Sequence, residues 1–176
     1  LEGRLRSRIA DAQVQWKAFA AWRREAAARD VTPEVQLARY SAAVHALIGI
    51  VQEMYFLGSD AAISRTIYAF VNLMQAKELA GVERALGATF FAAPTVDALS
   101  RQVFVSQVDR QALFLGQFRF FSDTVSVQHL AQSLADTKAA EIEQLRGLVF
   151  QRLPTRQIAA EGATAHWLEV MTWKIE

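Results

Sequence analysis

Two cationic side chains interrupt an apolar stripe on a predicted helix, and their surroundings indicate an anion-binding site. Residues spaced by three and four along the segment 60–92 share one helical face, which consists of Ile63, Ile67, Phe70, Met74, Lys77, Gly81, Arg84, Ala88 and Phe91. No acid lies three or four residues from Lys77 or Arg84, so neither cation can form a local ion pair. Because an inward-facing cation without a counter-charge is costly, we predict that a dissolved anion neutralises Arg84.

The guanidinium of Arg84 suits a planar oxyanion, because it donates two parallel hydrogen bonds. Small residues, Gly81 among them, lie one turn to either side and leave space for such an ion. Two other readings of these residues stay open. Arg84 could pair with an acid on another helix, and the long stem of Lys77 could bring its ammonium group out to solvent.

The other candidate residues predict neither catalysis nor a metal site. The absence of cysteine excludes disulfides, thiolate zinc sites and a cysteine nucleophile. His45, His129 and His166 lie in separate segments, without a partner at metal-ligand spacing. No GxSxG, P-loop, GxGxxG or HExxH motif occurs. We therefore predict a protein that is not an enzyme and that binds no cofactor. Arg146 follows Glu143 by three residues, which is typical of a surface ion pair.

The composition indicates a globular chain. Of the 176 residues, 52% are hydrophobic, which excludes intrinsic disorder. The net charge of +1 argues against direct binding of nucleic acid, because such domains usually have a large basic excess. No stretch approaches about 20 uninterrupted apolar residues, so no contact with a membrane is predicted. The chain begins without Met and ends inside a helical pattern, and we expect it to be a piece of a longer protein.

The elements that must position these residues are predicted to be helices. Apolar residues recur at three and four throughout, and no alternation of period two is long enough for a strand. Helix boundaries are expected at Thr32-Pro33, at Gly58-Ser59-Asp60, at Pro94-Thr95 with Thr95 as the cap, and around Pro154. We predict an all-α, antiparallel bundle of about six helices in a single domain over 1–176: 1–29, 33–57, 60–92, 95–121, 124–151 and 163–176.

Three stretches of sequence resemble a known family. The run from Met74 to Gly87, which contains KELAGVERALG, resembles the signature of the nitrate- and nitrite-sensing (NIT) domain. The segment EIEQLR, residues 141–146, and the closing segment 165–176 are similar to NasR-type nitrate-responsive transcription antiterminators. The stretch 40–50 matches more loosely, and the resemblance extends from about residue 20 to the end.

The resemblance implies a helical sensor that binds nitrate or nitrite and controls an attached output module, such as an RNA-binding antitermination domain. Family members bind the anion with arginines from different helices, and by their place in the motifs Arg84 and Arg146 are expected to do so here. Lys77, Gly81 and Glu83 lie in the same signature and are expected to support the site.

The resemblance also implies that this chain lacks the family's first helix, with its ERG-type motif, and lacks the output domain. RNA would then be contacted only through that absent domain. A cytoplasmic location is expected, or a periplasmic one if the output is a membrane receptor. The apolar face left by a missing helix favours a homo-oligomer. Two alternatives remain: a structural or dimerisation bundle without a ligand, and a chemoreceptor-type sensor of organic acids, which a larger cavity with several polar neighbours would favour.

Overall fold

A computed structural model describes residues 2–57, 60–93, 95–150 and 162–176, and within these ranges the chain is all-α without a strand. The described residues form seven helices: α1 (Glu2–Ala28), α2 (Pro33–Tyr55), α3 (Ala61–Ala92), α4 (Ala98–Phe121), α5 (Thr124–Ser133), α6 (Thr137–Phe150) and α7 (Ala163–Ile175). The prediction of an all-helical fold is confirmed. The predicted loops at Gly58-Ser59, Pro94 and 154–161 lie outside the described residues.

The predicted helix 124–151 is wrong in its middle, where the structure has a break between α5 and α6. Leu134 ends α5, and its N–H donates to the carbonyls of Leu130 and Gln132. The Asp136 carboxylate then accepts a hydrogen bond of 3.0 Å from the Lys138 N–H, which starts a new helix. The apolar spacing continues across this break, so periodicity alone did not reveal it.

Capping side chains begin α2, α3 and α4. Thr32 caps α2 ahead of Pro33, as predicted. Asp60 accepts hydrogen bonds from the N–H groups of Ala62 and Ile63 at the start of α3. The cap of α4 is Asp97 and not Thr95, because the Asp97 carboxylate reaches the Ser100 N–H at 2.9 Å.

The chain divides into two compact units, Leu1–Gln75 and Ala76–Glu176, and α3 contributes residues to both. In the first unit α1 packs against α2, with the Phe19 and Tyr40 rings 5.0 Å apart in an edge-to-face arrangement. Glu53 is buried in this unit and forms ion pairs with Arg4 and Arg8.

Trp167 lies at the centre of the second unit's core and is fully buried. Its ring centroid is 5.5 Å from that of Phe91 and 6.0 Å from that of Phe104. Its indole N–H donates to the backbone carbonyl of Arg84 at 2.9 Å. Because this contact ties α7 to α3, the core fixes the segment of α3 that contains the candidate site.

Candidate functional site

The inward face of α3 lies next to the predicted stripe and not along it. Ile63 and Phe70, predicted to be core residues, are more than half exposed, and Lys77 is exposed. The buried positions of α3 include Asn72, Ala76, Leu79, Glu83, Gly87 and Phe90, which keep the spacing of three and four. The predicted inward orientation is therefore wrong for Ile63, Phe70 and Lys77, whereas Phe91 at the end of the stripe is buried as predicted. The charged residue at the centre of the buried face of α3 is Glu83.

Glu83 is the centre of a buried ionic cluster that joins four helices. One carboxylate oxygen accepts from Arg146 Nε at 2.6 Å, and the other accepts from Arg146 Nη2 at 2.7 Å. The second oxygen also accepts from Gln111 Nε2 at 2.8 Å and from Lys174 Nζ at 3.3 Å. These partners lie on α6, α4 and α7. The cluster, here called the Glu83 cluster (Glu83, Gln111, Arg146 and Lys174), therefore ties each of these helices to α3.

The charges of the Glu83 cluster explain its pKa shifts. Burial raises the pKa of the Glu83 carboxyl, but the hydrogen bond and charge of Arg146 and the charge of Lys174 outweigh burial and hold the pKa below its ordinary value of 4.5. Burial and the nearby charge of Arg146 lower the pKa of Lys174 below 10.5, against the opposing attraction of Glu83. Glu83 is thus ionised at neutral pH and serves as the internal counter-ion.

Arg146 is buried and is not the surface residue that its spacing from Glu143 predicted. Its Nε and Nη2 groups are taken by Glu83, while Nη1 donates to Glu143, whose side chain is 65% exposed. The local partner exists, but the buried partner lies 63 residues away in sequence. All three nitrogen atoms of this guanidinium therefore have a carboxylate acceptor.

Arg84 is partly buried and has a neutral partner. Its Nη1 donates to Thr172 Oγ1 at 3.1 Å, and the Thr172 hydroxyl donates to the Leu168 carbonyl at 2.7 Å. Within the described part of the chain, no carboxylate forms an ion pair with Arg84. The structure thus brings Arg146 together with Glu83, whereas Arg84 and Arg146 contact different partners.

The supporting residues differ in their placement. Lys77 is exposed, as expected for a lysine that reaches solvent. A Cβ atom added to Gly81, one turn before Arg84, would meet no atom of another element within 4 Å. Glu83, expected only to support the site, is the buried centre of the cluster.

Sequence reasoning missed Gln111 and Lys174. Gln111 lies 28 residues after Glu83, and Lys174 lies 91 residues after it, so no local spacing links them to the carboxylate. The sequence offered one signal. The residues three and four positions from Glu83 on α3 are small or apolar, so the Glu83 carboxylate is expected to be buried and to need cations from distant segments.

A cavity of about 210 Å³ borders this cluster within the second unit. Its polar end is formed by Gln111, Glu143, Arg146 and Lys174. Its other walls are apolar: Val108, Ala112, Leu115, Leu134, Ala139, Ile142 and Trp173. Among the described residues, no group of three His, Asp or Glu side chains could hold a metal ion. None of the described helices combines the length and apolar character that crossing a membrane requires.

The fold and the site define an all-helical domain built around an ionic network, with one partly buried arginine beside it. The chain belongs to the family described as nitrate and nitrite sensing (NIT), which matches residues 1–176. The resemblance read from the signature around Arg84 is therefore confirmed.

Two relatives agree with this assignment. The chain is 32% identical over 170 residues to the nitrate regulatory protein of Klebsiella oxytoca, covering 96% of this chain and 42% of that protein. It is also similar to the solved structure of the NasR transcription antiterminator, with a TM-score of 0.88 and 30% identity over 97% of this chain and 46% of the other. The chain thus spans less than half the length of these relatives.

Proposed function

We propose that this domain binds nitrate or nitrite and that Arg84 contacts the anion. The supporting observation is a partly buried guanidinium whose side-chain partner, among the described residues, is the neutral hydroxyl of Thr172. A planar oxyanion would replace this oxygen as the acceptor and would gain a charge-assisted hydrogen bond. The space beside Gly81 lies one turn away and leaves room for the ion.

Arg146 supports this site indirectly, because it helps to hold α7 in place. Its guanidinium neutralises Glu83, and the Glu83 cluster includes Lys174, which follows Thr172 by two residues on α7. The cluster therefore holds α7 at the place where the Thr172 hydroxyl meets Arg84. Removing Arg146 would leave Glu83 buried with a weaker counter-charge and would loosen the helix that supplies Thr172.

The signal is a shift between two arrangements of α3 and α7. An anion that binds between Arg84 and its surroundings favours the arrangement in which these groups converge, and its differential affinity sets the size of the shift. In the whole protein this shift would regulate an output module such as an RNA-binding antitermination domain. The similarity to an antiterminator supports that output and a cytoplasmic location. A homo-oligomeric assembly stays a proposal.

The proposal is tested by titrating the chain with nitrate and with nitrite in a calorimeter, then repeating the titration with Arg84→Gln. We expect the variant to bind about tenfold or more weakly, because a hydrogen bond to a charged group is lost. Arg110→Gln is the matched control, since it makes the same substitution at an exposed arginine outside the candidate site. Equal affinity of Arg84→Gln and the unaltered chain would remove Arg84 from the site.

A further inference from the structure

The cavity beside the Glu83 cluster has a size and lining that nitrate does not explain. A water molecule takes about 30 Å³ of liquid, so a cavity of about 210 Å³ is several times larger than a four-atom ion needs. Most of its walls are apolar, from Val108 and Leu115 on α4 to Ile142 on α6 and Trp173 on α7. Apolar walls with a few converging polar groups are typical of sites for small organic molecules.

The polar end of the cavity already holds a carboxylate. The Glu143 side chain accepts a hydrogen bond from Arg146 Nη1, and both residues line the cavity. Glu143 is 65% exposed, whereas the Arg146 side chain is 9% exposed. Glu143 can turn outward and be solvated by water while Arg146 keeps its two bonds to Glu83, so a carboxylate from outside can take the place of Glu143 at small cost.

The charges at the polar end of the cavity suit a ligand with a single negative charge. Arg146 and Lys174 supply two cations, and the buried Glu83 carboxylate neutralises one of them. Glu143 neutralises the other. When Glu143 turns outward to solvent, one positive charge remains for a ligand. A second negative charge on that ligand would lie against apolar walls without a partner, which is unfavourable.

We infer that this cavity binds a small organic monocarboxylate with an apolar body, whose carboxylate replaces that of Glu143 on Arg146. The apolar body lies against Leu115, Ile142 and Trp173. The site goes beyond the nitrate function proposed above, because Arg84 contacts Thr172 and does not line this cavity. The domain would thus respond to an organic acid in addition to an inorganic anion.

Benzoate is the probe, because it combines one carboxylate with a flat apolar ring, and acetate is its matched control without the ring. In calorimetric titrations of the chain, we expect benzoate to bind about tenfold or more tightly than acetate, since the ring buries apolar surface. Acetate binding as tightly as benzoate would overturn the inference, and so would the absence of saturable benzoate binding.

Two variants locate the benzoate. Ala139→Leu fills the apolar part of the cavity and should weaken benzoate binding by about tenfold or more, whereas Glu143→Gln removes the competing charge and should strengthen it by about three- to fivefold. Circular dichroism confirms that each variant is folded. Benzoate affinity unchanged in Ala139→Leu, or weakened in Glu143→Gln, would place the ligand elsewhere and overturn the inference.

Titrating Arg84→Gln with nitrate as well as benzoate distinguishes the two proposals. Arg84→Gln should lose nitrate affinity and keep benzoate affinity, because Arg84 does not line the cavity. Loss of benzoate binding in Arg84→Gln would overturn the organic-acid site. Nitrate binding that survives in Arg84→Gln would instead refute the nitrate proposal, while the benzoate arms continue to decide the cavity inference.

Discussion

Gly87 on α3 provides a test of the core, because helix propensity and packing predict opposite changes in stability when this residue is replaced by Ala. Replacing Gly by Ala inside a helix normally stabilises it by about 0.5–1 kcal/mol. Here a Cβ atom on residue 87 would overlap with the Cε2, Cζ2 and Nε1 atoms of Trp167. The indole ring lies directly over the glycine, so Gly87→Ala forces either the ring or α3 to move.

The expected cost follows from the surroundings of Trp167. The ring is fully buried, it packs against Phe91 and Phe104, and its N–H is bonded to the Arg84 carbonyl. Overpacking costs about 1–3 kcal/mol. Weakening the hydrogen bond costs about 1 kcal/mol more. After the helix-propensity gain of about 1 kcal/mol is subtracted, Gly87→Ala should lower the free energy of unfolding by about 1–3 kcal/mol.

Gly81→Ala is the matched control on the same helix. A Cβ atom at residue 81 meets nothing within 4 Å, so only the propensity gain applies and this variant should be as stable as the unaltered chain or more so. Urea unfolding followed by circular dichroism and tryptophan fluorescence measures both variants. If Gly87→Ala were as stable as Gly81→Ala, the close approach of Trp167 to α3 would be refuted.

The remaining predictions concern the Glu83 cluster and Thr172. Glu83→Gln leaves Lys174 without a counter-ion and leaves Arg146 with only the exposed Glu143, so it should lower the free energy of unfolding by about 3 kcal/mol or more. Glu143→Gln should cost less than about 1 kcal/mol, and urea unfolding compares the two variants. Because the folded pKa of Glu83 lies below 4.5, its contribution is present above pH 4.5 and is lost as the pH falls through the folded value. As the pH is lowered, the free energy of unfolding should therefore fall less steeply in Glu83→Gln than in the unaltered chain. Equal slopes in the two proteins would contradict this prediction. Thr172→Val should weaken nitrate binding less than Arg84→Gln does in calorimetry, and a larger loss would make the hydroxyl the principal contact.

Much of the helical framework was predictable because its signals are local. The Thr32-Pro33 cap and the spacing of apolar residues act within a few positions, and they predict α2 and α3 to within a few residues. The break between α5 and α6 depends on Asp136 side-chain hydrogen bonds that compete with a continuing helix. The cap at Asp97 was missed because Thr95, two positions earlier, is also a common capping residue and follows Pro94 directly.

The site was less predictable because its decisive contacts are distant in sequence. The signature around Arg84 includes the turn of α3 that contains the buried Glu83, yet the spacing rule chose a face one residue away from the buried one. More than one helical face of this segment can be built from residues spaced by three and four, since small residues such as Ala76 and Ala80 suit either a buried or an exposed face. What decides between them is Glu83, whose cation partners lie on α6 and α7. No local pattern encodes these pairings.

Consecutive residues of α3 have separate tasks because helix geometry turns them in different directions. Side chains one residue apart point about 100° apart around a helix, so Glu83 faces Arg146 while Arg84 faces Thr172. Two nitrogen atoms of the Arg146 guanidinium are held by the buried Glu83 carboxylate, so this residue joins α6 to α3. Arg84 has a neutral hydroxyl as its partner, so an arriving anion improves its electrostatic environment. Because both residues share one helical turn, and Thr172 shares α7 with Lys174, a change at Arg84 acts directly on the helices that the buried cluster joins.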